Sequence, residues 1–361
     1  MTQQPDLLYS ETEDDLRAAV RSLLADRADT RTVLDRIEEP SPYLPGLWEA
    51  LAGGIGAAGL LVPEKLGGQG ASHREAAVVL EELGRAVTPA PYLTSAVVAT
   101  ETLLALAADS GPAAELLARL ASGERVAVLA LPFATAPRKT IDPERRVPAV
   151  ADALAADVLL VPRPDGLYAV DAADATVTRQ SSLDLTRPLA LVDTRDADGV
   201  RLADTEAGRA AVRRGLLAGA GLLASEQLGL AEWCLEETVR HTKERYQFNR
   251  PVGSFQALKH RMAHLWLDLV GARAAARAAA DALAAGAADA ELTVSVAQAY
   301  CSGVAVRAAE ECVQLHGGIG MTWEHPAHLA LKRAKADQLA LGSAGHHQDV
   351  IAALVDLPAP A

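Results

Sequence analysis

Two segments in the carboxy-terminal third carry residue types suited to binding an anionic group. The first is Arg245-Tyr246-Gln247-Phe248-Asn249-Arg250-Pro251-Val252-Gly253-Ser254-Phe255-Gln256, with two Arg, two Gln and two of the chain's three Phe. An Arg at a junction between helices suits a phosphate or pyrophosphate, because its planar fork donates two parallel hydrogen bonds. It suits equally a surface Arg that satisfies the carbonyls of a helix end. Pro251 and Gly253 are expected to end one helix, and Ser254 to cap the next. The second segment is Gln314-Leu315-His316-Gly317-Gly318-Ile319-Gly320-Met321-Thr322. Successive glycines let backbone N–H groups approach a ligand closely. A plain helix stop with a Gly cap explains Gly317 almost as well.

Long helices must position both segments. Leu228, Ala231, Leu235 and Val239 recur at helical spacing on one face, as do Leu258, Met262, Leu265, Leu269, Ala272 and Ala276. Val294, Ala297, Cys301, Ala305, Ala308, Cys312 and Leu315 form a third stripe. Such steps average close to 3.5 and predict an antiparallel bundle with small Ala seams, over 208–361. Cys301 and Cys312 fall on this apolar stripe and read as core. Residues 1–123 also read as helical: Asp14 to Asp29, Ser72 to Gly84 (capped by Ser72, stopped by Gly84), Ser95 to Ala107 and Pro112 to Leu120. Between them, 124–207 holds short Val- and Leu-rich runs at Arg125–Leu131, Val158–Val161, Leu167–Val170 and Leu189–Val192. Pro, Asp and Gly punctuate these runs, which predict a small β-domain. The fold class is mainly α with a small β-domain.

Composition narrows the chemistry. The 361 residues carry 34 Lys and Arg against 47 Asp and Glu, a net charge of −13. That balance argues against nucleic acid as partner. No apolar run is long enough to span a membrane, and the first residues lack the pattern of a signal peptide. Three Cys make neither a disulfide framework nor a four-ligand zinc site. A cytoplasmic globular protein is the expectation.

Taken together and in this order, the two segments resemble the acyl-CoA dehydrogenase family of flavoproteins. The resemblance runs over most of the chain. It includes Leu60-Leu61-Val62-Pro63-Glu64, Gly67-Gly68-Gln69-Gly70, Glu81-Glu82-Leu83-Gly84-Arg85, Thr322-Trp323-Glu324-His325-Pro326 and Arg333-Ala334-Lys335-Ala336. It implies a helical domain, a β-barrel domain and a carboxy-terminal four-helix bundle, usually as dimers or tetramers. It further implies that Arg245, Gln247, Phe248, Phe255, Gln256, Gln314, Leu315, Gly317 and Gly318 hold the pyrophosphate and adenosine end of an FAD bound mainly to a neighbouring subunit. Asn249 stands where the family usually has Gly, so the turn after Phe248 is expected to differ locally.

The family reaction takes a proton from Cα of an acyl-CoA thioester while hydride leaves Cβ for the flavin, and it needs a carboxylate base. The resemblance puts that Glu at Leu341, just before Gly342-Ser343, or in some members near Gly219. Neither residue can accept a proton. Glu226 lies two turns further along the helix that holds Gly219, about 10.5 Å away along the axis. It reads as a polar residue at a contact rather than a base. His346 and His347 read as exposed.

The middle domain is also short of family features. Pro132-Phe133-Ala134-Thr135-Ala136-Pro137 stands where the flavin-ring turn would be, and the four Trp (48, 233, 266 and 323) all lie outside 124–207. Groups for a subunit's own active site are missing, whereas groups for a neighbour's FAD are present. The resemblance is therefore to the reduced subunit of α2β2 acyl-CoA dehydrogenases, such as those of bacterial steroid side-chain degradation. It implies a homologous full-length partner subunit, an acyl-CoA substrate held in the complex and electron-transfer flavoprotein as acceptor. A homo-oligomeric flavoprotein with glutamate-independent chemistry and a non-catalytic helical scaffold stay open as alternatives.

Overall fold

A computed structural model describes residues 6–107 and 110–357. Ser10 opens α1 (Glu11–Arg27) with a reciprocal capping box to Glu13, and Ser72 opens α4 (His73–Ala86) in the same way with Glu75. Between them lie α2 (Thr30–Arg36) and the single turn α3 (Leu47–Glu49), which widens into a π-turn over Ala50–Gly54 where glycines weaken the helix. A second π-segment, Tyr92–Ala99, runs into α5 (Thr100–Leu104), and α6 (Pro112–Ala121) has Pro in its first turn.

The next part is two small sheets. β1 (Ala127–Leu129), β3 (Val158–Arg163), β4 (Gly166–Asp171) and β7 (Val200–Ala203) form one, in that order, with β1 parallel to β3 and the other pairs antiparallel. β2 (Arg146–Ala151), β6 (Leu189–Asp193) and β5 (Thr176–Gln180) form the other, all antiparallel. Val128, Val150, Leu159, Val161, Val170 and Val192 fill the space between the sheets. The four expected runs are strands. β2, β5 and β7 were not expected: β2 contains Pro148 and a register shift between Val147 and Val150, and β5 is a mostly polar edge strand.

From Asp204, whose side chain caps the helix, α7 (Thr205–Glu244) runs for 40 residues. A hairpin of β8 (Tyr246–Gln247) and β9 (Arg250–Pro251) links it to α8 (Gln256–Ala284). Helices α9 (Ala290–His316), α10 (Ala327–Asp337) and α11 (Ala344–Leu354) complete the bundle. Most of the expected stripe residues face inward: Leu228, Ala231, Leu235, Leu265, Leu269, Ala272, Ala276, Val294, Ala297, Cys301, Ala305, Ala308 and Cys312 are buried, whereas Val239, Leu258, Met262 and Leu315 near the helix ends are half-buried.

Gly84 does not stop α4, which continues to Ala86. It is the point where α4 crosses α7: a Cβ there would run into the Glu226 carbonyl, and one on Gly229 would run into the Glu81 carbonyl. The two helices meet backbone to backbone. Ser254 does not cap α8 either. Phe255 takes the cap position, no side chain bonds the helix end, and the Ser254 hydroxyl has no partner.

Candidate functional site

The segments read from the sequence meet at one end of the bundle. α7 delivers Arg245 at its carboxy terminus, and α9 delivers Gln314 and Leu315, with Gly317 and Gly318 beyond its last turn. They line a cleft of about 610 Å³ together with His241, Val252, Arg261 and His316. Gly317 has φ +65°, and a Cβ built on Gly317 or Gly318 would meet nothing within 4 Å. The glycine turn is therefore an open cradle that a ligand can enter. Arg245 and Arg261 supply donors, although Arg261 is shared with Glu311 at 2.7 and 2.8 Å. A negatively charged group with room for an extended body fits this donor set.

Of the other sequence-derived residues, Gln247, Phe248, Phe255 and Gln256 do not line the cleft. Gln247 bonds the Tyr246 carbonyl at 2.9 Å, and Gln256 lies 3.5 Å from His260. Phe248 and Asn249 form the two-residue turn of the β8–β9 hairpin, both with positive φ (+51° and +60°). Two left-handed residues between paired strands make a type I′ turn, which Asn tolerates well in place of Gly. A Phe in that conformation is strained, and this one is 88% exposed. Strain and exposure of one aromatic ring mark a group presented outward. His241, His316 and Arg261 escaped sequence reasoning because His and Arg on a helix read as ordinary surface until the cleft places them.

The second location is the place where a base is expected. Leu341 and Gly219 face one another: a Cβ built on Gly219 would sit 3.1 Å from Leu341 Cδ1 and 2.5 Å from Val98 Cγ2. Leu341 is buried, has φ +54° and donates its N–H to the Phe133 carbonyl at 2.8 Å. The loop after β1 is thereby drawn onto the chain leading into α11. What remains is a cavity of about 30 Å³, lined mainly by apolar groups of Val98, Leu131, Phe133, Leu216 and Leu341. It has room for about one or two waters.

Glu226 is no base. Its carboxylate takes Arg187 Nη2 at 2.7 and 2.8 Å and Arg333 Nη1 at 2.6 Å, and all three side chains are buried. Burial pushes its pKa up, but the two guanidinium groups outweigh burial and the net direction is down. Asp184 pairs with Arg333 and Asp337 with Arg187, so the cluster ties the β-domain to α7 and α10. The expected exposure of His346 and His347 is also corrected. His347 is buried with Nε2 3.1 Å from the Leu341 carbonyl, and His346 is half-buried. The short link Gly342-Ser343 forces α11 to fold back over Leu341 and takes His347 inside.

A helical domain, a two-sheet domain and a helical bundle with a glycine-floored cleft at one end make up the build of the molecule. Residues 10–124 match the family described as acyl-CoA dehydrogenase, N-terminal domain, and residues 206–355 match acyl-CoA dehydrogenase, C-terminal domain. The chain is 36% identical over 328 residues to acyl-CoA dehydrogenase IpdE2 of Mycobacterium tuberculosis, covering 91% of this chain and 92% of that protein. Among solved structures it is similar to a chain of the ChsE4–ChsE5 complex from M. tuberculosis (TM-score 0.85, 25% identity, 98% and 100% covered). It is also similar to a chain of a variant of the Tcur3481–Tcur3483 steroid ACAD (TM-score 0.83, 27% identity, 96% and 98% covered). This chain belongs to the acyl-CoA dehydrogenase family. Among the described residues no helix is long and apolar enough to cross a membrane.

Proposed function

We propose that this chain is the base-less subunit of a heteromeric, FAD-dependent acyl-CoA dehydrogenase, organised as domains 1–123, 124–207 and 208–361. The observation that carries the reading is the contact of Gly219 with Leu341. Both positions where the family resemblance puts a base are occupied by groups that cannot take a proton, and Leu341 with Val98 takes the space that a side chain on Gly219 would need. The opposite end of the bundle keeps an open cleft of about 610 Å³ with Arg245 at its wall and Gly317-Gly318 at its floor.

In this reading a homologous full-length subunit supplies the glutamate and the flavin-ring site. FAD, when bound, would supply the hydride-acceptor chemistry of the dehydrogenation. This chain's part is to hold the cofactor's far end: Arg245 donates to the pyrophosphate, Gln314 and the Gly317-Gly318 backbone bind and orient the adenosine side, and Phe248 reaches outward to the partner. Assembly is supported by exposed apolar side chains elsewhere on the bundle, Trp266, Leu267 and Val270 on α8 and Val296 and Tyr300 on α9. The likeness to one chain of two named pairs, one of them a steroid enzyme, supports a steroid-type acyl-CoA as substrate. Electron-transfer flavoprotein is the acceptor that family membership suggests.

The test is the absorption spectrum and solution mass of the chain purified alone and with a complete homologue. The expected result is a colourless chain alone and a yellow complex with one flavin per pair. A chain that is yellow alone with one FAD per subunit overturns the reading.

A further inference from the structure

Behind the Gly317-Gly318 floor lies a stack of three imidazoles. His316 is sandwiched between His241 and His325, with ring centroids at 4.3 and 4.4 Å. Glu237 reaches toward the stack from α7: its Oε1 is 3.7 Å from His316 Nε2 and 3.8 Å from His325 Nε2. The Glu237, His316 and His325 ligand atoms lie within 4.8 Å of one another, as in an empty metal site. Two features oppose a cation there. Arg240 already binds both Glu237 oxygens through Nε and Nη2, so the carboxylate a metal would need is engaged by a guanidinium. His325 Nδ1 accepts the Ala327 N–H at 3.2 Å, which puts that ring's own proton on Nε2, the atom a metal would need.

The arrangement suits a proton instead. The His316 side chain is fully buried, and its Nδ1 lies 2.6 Å from the Cys312 carbonyl, a bond in which nitrogen must donate. Nε2 is then a buried lone pair without a partner, facing a carboxylate. Two acceptors face to face repel one another, and a proton on Nε2 turns the contact into attraction. The ring also ends α9, where the helix dipole favours a positive charge.

We infer that His316 is held as an imidazolium by Glu237 beneath the Gly317-Gly318 turn, and that this buried charge is a positioning element for the cofactor's pyrophosphate. The inference rests on the FAD reading above. The groups nearest the ring are Glu237 and His241 from α7, Cys312 from α9 and His325 from the segment before α10. Arg240 reaches it through Glu237 and Cys234 through Cys312, while Arg245, just past α7, and Arg261 of α8, paired with Glu311, line the cleft. Burial alone pulls the His316 pKa down, but the bonds to Cys312 and then Glu237 outweigh it and the net direction is up. His325 goes the other way, to about 4, through burial and then the His316 charge.

The experiment uses the full chain labelled at histidine Cε1 for NMR, and the chain purified with its partner for FAD binding. The His316 resonance is expected to titrate above the ordinary range near 6.5 and to fall in Glu237→Gln. FAD binding to the complex is expected to be roughly tenfold weaker in His316→Gln at pH 7. In wild type it should weaken as pH rises through the His316 titration, a dependence that His316→Gln lacks. A His316 ring already neutral at pH 6 overturns the inference. Stoichiometric zinc that is lost in Glu237→Gln overturns it too. FAD affinity unchanged in His316→Gln but lost in Arg245→Ala overturns this inference and leaves the cofactor reading intact. Affinity unchanged in both variants removes the cofactor reading itself.

Discussion

Arg333 donates from Nη1 to Glu226 Oε1 at 2.6 Å, with both side chains 1% exposed. Because Arg187 holds the same carboxylate, Glu226 bridges two guanidinium groups that would otherwise repel each other. Asp184 and Asp337 flank the pair, giving three buried carboxyls to two guanidinium groups. Asp337 is the carboxyl of the three that this crowding raises: burial and then the neighbouring Glu226 push its pKa up to about 8, and its Oδ2 has no partner.

A carboxyl whose folded pKa lies above its unfolded value stabilises the fold below the unfolded pKa, and the contribution is lost as pH rises through the folded one. Stability tied to Asp337 therefore declines from about pH 4 to about pH 8. Asp337→Asn keeps an acceptor for Arg187 and removes the proton equilibrium. At pH 8.5 it is expected to be more stable than wild type by more than about 1 kcal/mol, with the difference gone near pH 4. Urea denaturation across this range is the check, and parallel curves would refute it.

In the proposed reading Leu341→Glu puts a glutamate where the family resemblance expects one, and it is expected to bring no activity. The carboxylate would enter the cavity of about 30 Å³ beside Val98, Phe133 and Leu216, with no cation among its lining residues. Unfolding free energy should fall by about 3 kcal/mol or more. Acyl-CoA turnover by the purified variant would sink the argument.

The α4–α7 crossing has no space for a methyl group. Gly229→Ala puts Cβ into the Glu81 carbonyl, and backbone cannot turn aside as a side chain can. A loss of about 2–3 kcal/mol is expected, read as a lower urea midpoint with unchanged slope. A wild-type midpoint would show that the helices separate freely.

Arg245 and Phe248 should divide stability from binding. Arg245→Ala touches an exposed residue and leaves the midpoint of the isolated chain unchanged while the complex loses flavin. Phe248→Gly relieves a φ of +51° and should stabilise the isolated chain by about 1 kcal/mol, yet weaken assembly. Analytical ultracentrifugation with flavin absorbance measures both, and an assembly as tight as wild type would refute the outward role of Phe248.

The long helices were legible because seams such as Leu265–Leu269–Ala272–Ala276 repeat over many turns, and one misread residue does not blur them. Gly84 was misread because local propensity marks Gly as a stop, whereas its reason lies on a helix some 140 residues away, at Glu226. β5, Thr-Val-Thr-Arg-Gln, shows little apolar alternation since its edge position buries little. At the cleft, Arg245 and the glycine pair were found as motifs. His316 was passed over because only the fold reveals that its Nε2 is buried opposite Glu237. Leu341 and Gly219 were each read as a missing base, but their meeting is a tertiary fact that no spacing encodes.

That meeting has a historical side. A carboxylate reintroduced at Gly219 strikes Leu341 and Val98, and one reintroduced at Leu341 enters a pocket too small to hydrate it. In the proposed reading a base can return only if several of these packed residues change together, so closure of the pocket would act as a ratchet toward dependence on a partner.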